Sequence, residues 1–145
     1  MTRMNKILGV FVVPLLSLTF GTFANADTRT APTVVELFTS QSCYSCPPAE
    51  ALLGELAARG DLIALEFHVD YWNDLVYGSA GKWVDVHSSA AHTARQRTYG
   101  ARLDKGVYTP QMVMDGRTEA VGSRNGDVAR AIEAARKGPR LTLAV

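Results

Sequence analysis

Apolar residues fall along this chain in two rhythms, and the changes of rhythm mark its elements. Thr33 to Phe38 carries Val34, Val35, Leu37 and Phe38 in a nearly continuous run, the pattern of a strand covered on both faces. Leu52, Leu53, Leu56 and Ala57 then repeat at helical spacing, which predicts a helix from Cys46 to Arg59 closed by Gly60. Leu62 to Val69 returns to alternation, with Ile63, Leu65, Phe67 and Val69 sharing one face of a second strand. Lengths of this kind make a parallel strand–helix–strand unit.

From Asp70 to Val86 no period holds, and the stretch reads as a loop-rich insertion. Ser88 or Ser89 caps a following helix that reaches Leu103, with a small packed face expected at Ala91, Ala94, Thr98 and Ala101. Gly106 to Pro110 then leads into a short strand, Gln111 to Met114, whose Met112 and Met114 read as packing residues. Asp115-Gly116 is a type I′ hairpin signal, and Thr118 to Val121 returns antiparallel. Asp127 to Arg136 is the last helix, turning Val128, Ala131, Ile132 and Ala135 inward, with Gly138-Pro139 as its stop. This order of elements is that of a thioredoxin-like α/β fold.

The N-terminus carries an address. Arg3 and Lys6 precede an apolar run from Ile7 to Leu18, and Ala24-Asn25-Ala26 is an A-x-A cleavage signal. Residues 1–26 are therefore a signal peptide, and the protein is expected to be periplasmic or secreted after cleavage near Ala26. Pro14 and Gly21 count against an uncleaved anchor, so no stable membrane insertion is expected. The remaining chain divides into a lead-in over 27–32 and one domain over 33–138, with an insertion at about 70–104. Residues 139–145 look like the start of a truncated β extension. The formal net charge is +1 and no long basic run occurs. Arg95, Arg97 and Arg102 read as a solvated helix face, nucleic acid is not an expected partner, and a monomer is expected.

Chemistry enters with the two cysteines of the chain, Cys43 and Cys46, at the junction of the first strand and the first helix. Pro47 and Pro48 are tolerated only in a first helical turn, so the pair sits at a helix N-terminus. The dipole and unpaired amides there favour a thiolate, the reactive form of cysteine. A helix end supplies about 0.3–1 kcal/mol, exceptionally about 2, which is a pKa shift of about one unit. Direct N–H···S bonds would have to supply anything larger. No Lys, Arg or His lies between Thr33 and Ala58, so Cys43 is expected to be moderately activated. As a structural staple so short a ring is weak, about 1.9 kcal/mol against about 4.7 for a 100-residue loop. In an exported protein it suits a redox switch better.

The motifs ELFTSQSCYSCPPAE, HVDYW and GVYTPQMVMDG, in this order, resemble a family of secreted bacterial thioredoxin-like proteins of unknown function. The resemblance covers about Thr33 to Ile132 and implies a thioredoxin-like fold and a redox role. Ser42 stands where the family's pattern has Gly, Asn73 to Val86 departs from it, and members usually continue into a β-rich C-terminal part. Similarity to thioredoxins implies Cys43 as the attacking and Cys46 as the resolving cysteine. It likewise implies Thr109-Pro110 as a cis dipeptide facing the disulfide, with the backbone of Thr109 open to a substrate strand. Glu36 lies near the position of a buried proton-relaying acid, one residue out of register. Its plainer alternative is a carboxylate paired with a local donor.

His68 and Asp70 end the second strand, the edge where open α/β sheets bind ligands, and either touch substrate or fix the loop as a hydrogen-bonded pair. Tyr71 and Trp72 form a substrate-facing shelf or lid the core. The expected function is a thiol–disulfide oxidoreductase acting on protein or small-molecule thiols and disulfides, with no cofactor beyond its own disulfide. Copper delivery through Cys43, Cys46 and His68 is the alternative, since thiolates suit Cu(I). A zinc site adding His87 or His92 is a variant of it. An adaptor with an inert disulfide is the third reading.

Overall fold

The computed structural model describes residues 31–139. Strand β1 (Thr33–Thr39) leads to helix α1 (Pro47–Ala57) and strand β2 (Leu62–His68). Helix α2 (Ala90–Arg102), strands β3 (Gln111–Met114) and β4 (Thr118–Val121), and helix α3 (Asn125–Arg136) complete the order. The strands form one mixed sheet in the order β2-β1-β3-β4. β1 runs parallel to β2, from Thr33 beside Leu62 to Thr39 beside His68, and antiparallel to β3. The architecture is α/β and is compatible with the thioredoxin-like class. The residues outside 31–139 include the expected signal peptide and the expected strand at Leu141–Val145.

β1 is the central strand, and its alternation divides the core. Val35 and Leu37 meet Met112, Met114 and Ala120 under α1 and α3. On the opposite face Phe38 and Val113 pack with Val69, and Phe67, Tyr71, Trp72, Tyr99 and Leu103 close over them. A strand packed on both sides reads as a continuous apolar run, which is why β1 lacks visible alternation. The hairpin turns at Asp115 and Gly116, φ 49° and 63°, the pair of left-handed conformations that a type I′ turn needs. Past β4, Gly122 lies so close to α1 that a Cβ there would come within 2.9 Å of the Ala49 Cβ. That contact, with Gly122 N–H donating to the Pro110 carbonyl, fixes the first turn of α1 against the β3 entrance.

Four expectations change, the smallest being the last helix, which opens at Asn125 rather than Asp127. The helix after the disulfide begins at Pro47 and ends at Ala57, two residues inside the limits expected for its C-terminal end. On β2, Ile63 and Leu65 are 44% and 40% exposed rather than packed, because that face meets the Phe38–Val113 cluster only at its far end, through Phe67 and Val69. On α2 the packed face is Thr93, Gln96 and Gly100, not Ala91, Ala94, Thr98 and Ala101. Polar residues occupy that face because they have polar work there. Gln96 Nε2 donates to the Tyr108 carbonyl at 2.7 Å and to Gln111 Oε1 at 3.0 Å, while Tyr71 Oη donates to Gln96 Oε1 at 3.2 Å. Ser89 does cap α2, its hydroxyl accepting from the Ala91 amide.

Candidate active site

β1 delivers the chain to a tight loop in which Cys43 and Cys46 are joined, S–S 2.10 Å with their Cα atoms 5.4 Å apart. The Cys43 amide donates to the Ser40 carbonyl and the Cys46 amide to the Cys43 carbonyl, so the loop winds directly into α1. Cys46 is the N-cap residue of that helix and is fully buried, whereas Cys43 retains 5% of its surface. Between them Tyr44 is fully exposed. An incoming sulfur therefore meets Cys43 first.

The expectation that amides of the helix end feed the sulfur is not met. Pro47 and Pro48, the first two helical residues, have no N–H to offer. The next two amides, those of Ala49 and Glu50, both donate to the Cys46 carbonyl, at 2.8 and 3.2 Å. Side-chain hydroxyls take their place. Thr109 Oγ1 donates to Cys43 Sγ at 3.2 Å, and Ser45 Oγ lies 3.6 Å from the same sulfur. Thr109 is itself oriented, because Trp72 Nε1 donates to its Oγ1 at 2.9 Å. The Thr109–Pro110 peptide is cis. Trp72 closes one side of the core with its ring, as the lid reading expects, and its N–H also reaches the hydroxyl on the sulfur. Nothing in sequence spacing announces a contact between residues 37 positions apart.

Glu50 adds a charge in the first turn of α1, where it accepts from Thr39 Oγ1 at 2.6 Å. A carboxylate there takes up the favourable end of the dipole that a thiolate would share. Ser42 Oγ is enclosed with no hydrogen-bond partner among the described residues.

Glu36 lies on the α2 face of β1 and is buried. Its carboxylate accepts from Arg95, Nε to Oε2 at 2.5 Å and Nη2 to Oε1 at 2.9 Å, and from Tyr99 Oη at 2.7 Å. Burial and this carboxylate push the Tyr99 phenol up to about 12. Arg95 stays half-exposed, as expected of a solvated face, but its guanidinium is engaged by Glu36 and also lies over the Phe67 and Tyr99 rings. Glu36 behaves as a paired carboxylate in this arrangement, and its hydrogen bonds lead to α2, not to the cysteines.

His68 and Asp70 do not pair with each other. His68 Nδ1 donates to Asp85 Oδ2 at 2.6 Å and its Nε2 faces Glu66 Oε1 at 3.4 Å. Asp70 accepts from Thr93 Oγ1 at 2.6 Å. Asp85, which no sequence motif marks, links three segments. Its buried carboxylate also accepts from the Gln41 amide at 2.8 Å and the His87 amide at 2.9 Å. Burial would raise this carboxyl, but the Gln41 amide, the His68 ring and the His87 amide together hold it below its ordinary value. Among the described residues no group of three or more His, Cys, Asp or Glu is arranged to hold a metal ion.

A family model described as "Protein of unknown function (DUF1223)" matches residues 34–145. Among solved structures, the crystal structure of a protein from Agrobacterium tumefaciens, determined by a structural-genomics consortium, is 42% identical with a TM-score of 0.61. The match covers 72% of this chain and 46% of that one, so the chain spans less than half of that neighbour's length. No curated protein matches.

Proposed function

The chain belongs to the DUF1223 family, and from that premise we propose that it is an exported thiol–disulfide oxidoreductase working through Cys43 and Cys46. One observation carries the proposal: a four-residue disulfide ring at the start of α1 with the Thr109 hydroxyl, next to a cis proline, bonded to its more accessible sulfur. A hydroxyl that donates to sulfur stabilises a thiolate more than a disulfide, because the charged acceptor makes the stronger bond. Thr109 therefore favours Cys43 as the attacking and leaving sulfur. Cys46, buried behind it, is reached only from within the protein.

In the reducing direction the Cys43 thiolate attacks a substrate disulfide. A Cys43–substrate bond forms, the substrate S–S bond breaks, and one substrate thiolate leaves. Cys46, losing its proton to solvent, attacks Cys43 Sγ, re-forms the Cys43–Cys46 bond and releases the second substrate thiolate. Two electrons pass from the protein dithiol to the substrate, and two protons end on its thiols at neutral pH. Oxidation of a substrate dithiol is the same sequence reversed.

Copper delivery draws less support, because both nitrogens of His68 are turned to carboxylates, Asp85 and Glu66. Turnover of a model disulfide by the purified protein with an external dithiol tests the proposal. Cys43→Ser is expected to abolish turnover, and Cys46→Ser to accumulate a mixed disulfide visible by mass. A native bridge that mild dithiols never open would leave the inert adaptor as the better description.

A further inference from the structure

A cleft of about 440 Å³ opens beside the disulfide, between the loop at Gln41, Ser42 and Tyr44 and the insertion at Tyr77, Lys82 and Trp83. Hydrogen bonds tie its two walls together. Tyr77 Oη donates to the Ser42 carbonyl at 2.8 Å, and Trp83 Nε1 donates to Gln41 Oε1 at 3.2 Å. With those polar atoms occupied, the rings leave apolar faces outward: Tyr44 fully exposed, Trp83 54% and Tyr77 43%. Val84 and Val86 prolong the same exposed stretch. A two-walled cleft of this volume, lined mainly by aromatic and apolar surface with a few polar groups, has the make-up of a side-chain or ligand pocket. On the premise of the oxidoreductase reading above, we propose that this cleft seats an aromatic or large aliphatic side chain beside the cysteine of an extended polypeptide substrate.

Position is the first reason. Ser42 and Tyr44 flank Cys43 in the chain and also line the cleft, so a substrate sulfur bonded to Cys43 brings its own neighbours to that wall. An extended chain advances about 3.3 Å per residue, which puts side chains one or two positions from the substrate cysteine within reach. Charge is the second. Lys82 is the charged residue among those lining the cleft, and its Nζ is held by Asp74 Oδ1 at 3.0 Å. That leaves little to attract the carboxylates of a small acidic thiol, while an apolar side chain needs none. Shape is the third. A cleft with two walls accepts a protruding side chain, whereas two copies of one concave surface would meet across a void.

The test compares oxidation of the reduced protein by two peptide disulfides that differ only in Trp or Gly beside the cysteine. Glutathione disulfide is the third oxidant, and each rate is divided by that of a free dithiol with the same oxidant. The Trp peptide is expected to react at least tenfold faster than the Gly peptide, about 1.4 kcal/mol. In Trp83→Ala, and separately in Tyr44→Ala at a fully exposed position, the ratio is expected to fall to within about twofold of one, with Trp83→Phe keeping most of it. Equal rates for the two peptides in the parent protein overturn the docking proposal and leave the redox reading standing. Failure of all three disulfides to oxidise the reduced protein overturns the redox reading itself. A dimer in sedimentation that Trp83→Ala dissolves assigns the patch to a second copy and also overturns the proposal.

Discussion

At the scale of single residues, the sulfur of Cys43 depends on hydroxyls. Thr109 Oγ1 donates to it, and the Trp72 indole N–H fixes the direction of that hydroxyl by occupying its oxygen. A hydrogen bond to a charged acceptor contributes about 1.5–3 kcal/mol, and one pKa unit corresponds to about 1.4 kcal/mol. Thr109→Val is therefore expected to raise the apparent pKa of Cys43 by about one to two units, followed as thiolate ultraviolet absorbance against pH. Trp72→Phe is expected to raise it by a smaller amount, because the hydroxyl remains but turns freely. Equal pKa values in parent and Thr109→Val would show that the bond counts for nothing in the reduced protein. The location of the cysteines was legible in Pro47-Pro48 and the leucine spacing. The same two prolines also told against amide donors, since neither has an N–H, and that half of their meaning is plain only with the bonds of Ala49 and Glu50 in view. Trp72 could not be assigned from spacing, since its partner is brought to it by the fold.

At the scale of elements, α2 is held to the sheet by polar contacts. The Glu36 carboxylate on β1 binds Arg95 and Tyr99, two residues one helical turn apart. Removing one partner of a buried pair costs about 3–5 kcal/mol, and the half-exposed Arg95 guanidinium scales that down. Arg95→Ala is expected to cost about 2 kcal/mol in urea unfolding, and the Glu36→Leu/Arg95→Ala double variant to recover most of it. A double variant no more stable than Arg95→Ala would show that the Glu36 bond to Tyr99, and not the unpaired charge, carries the cost. Elements with apolar periodicity were legible. α3 buries Val128, Ala131, Ile132 and Ala135 as its pattern predicts, and Ser89 caps α2. The orientation of α2 was not, because an apolar template selects alanines, and this helix instead buries Gln96 for its bonds to Tyr108 and Gln111.

In the whole molecule, Asp85 joins parts that are remote in sequence: the loop leading to Cys43 through the Gln41 amide, the end of β2 through His68, and the insertion through His87. Its folded carboxyl lies below the ordinary value, so the stability it contributes is complete above the unfolded pKa, near 4, and is lost as pH falls through the folded value. Asp85→Asn is expected to cost about 2–3 kcal/mol at pH 7. The gap in melting temperature between parent and variant is expected to narrow below about pH 4, and a gap independent of pH would rule out that charge linkage. The insertion was legible only as an absence of period. Its contribution, a wall beside the disulfide and the carboxylate that anchors the neighbouring loop, arises from contacts across more than 40 positions. Thr109 carries a consequence beyond this chain. A main-chain donor is built into a scaffold and varies little while the scaffold lasts, but a hydroxyl can be gained or lost by one codon change. On the oxidoreductase reading, the reduction potential of such a pair would then shift by some tens of millivolts with one substitution while the backbone stays superimposable.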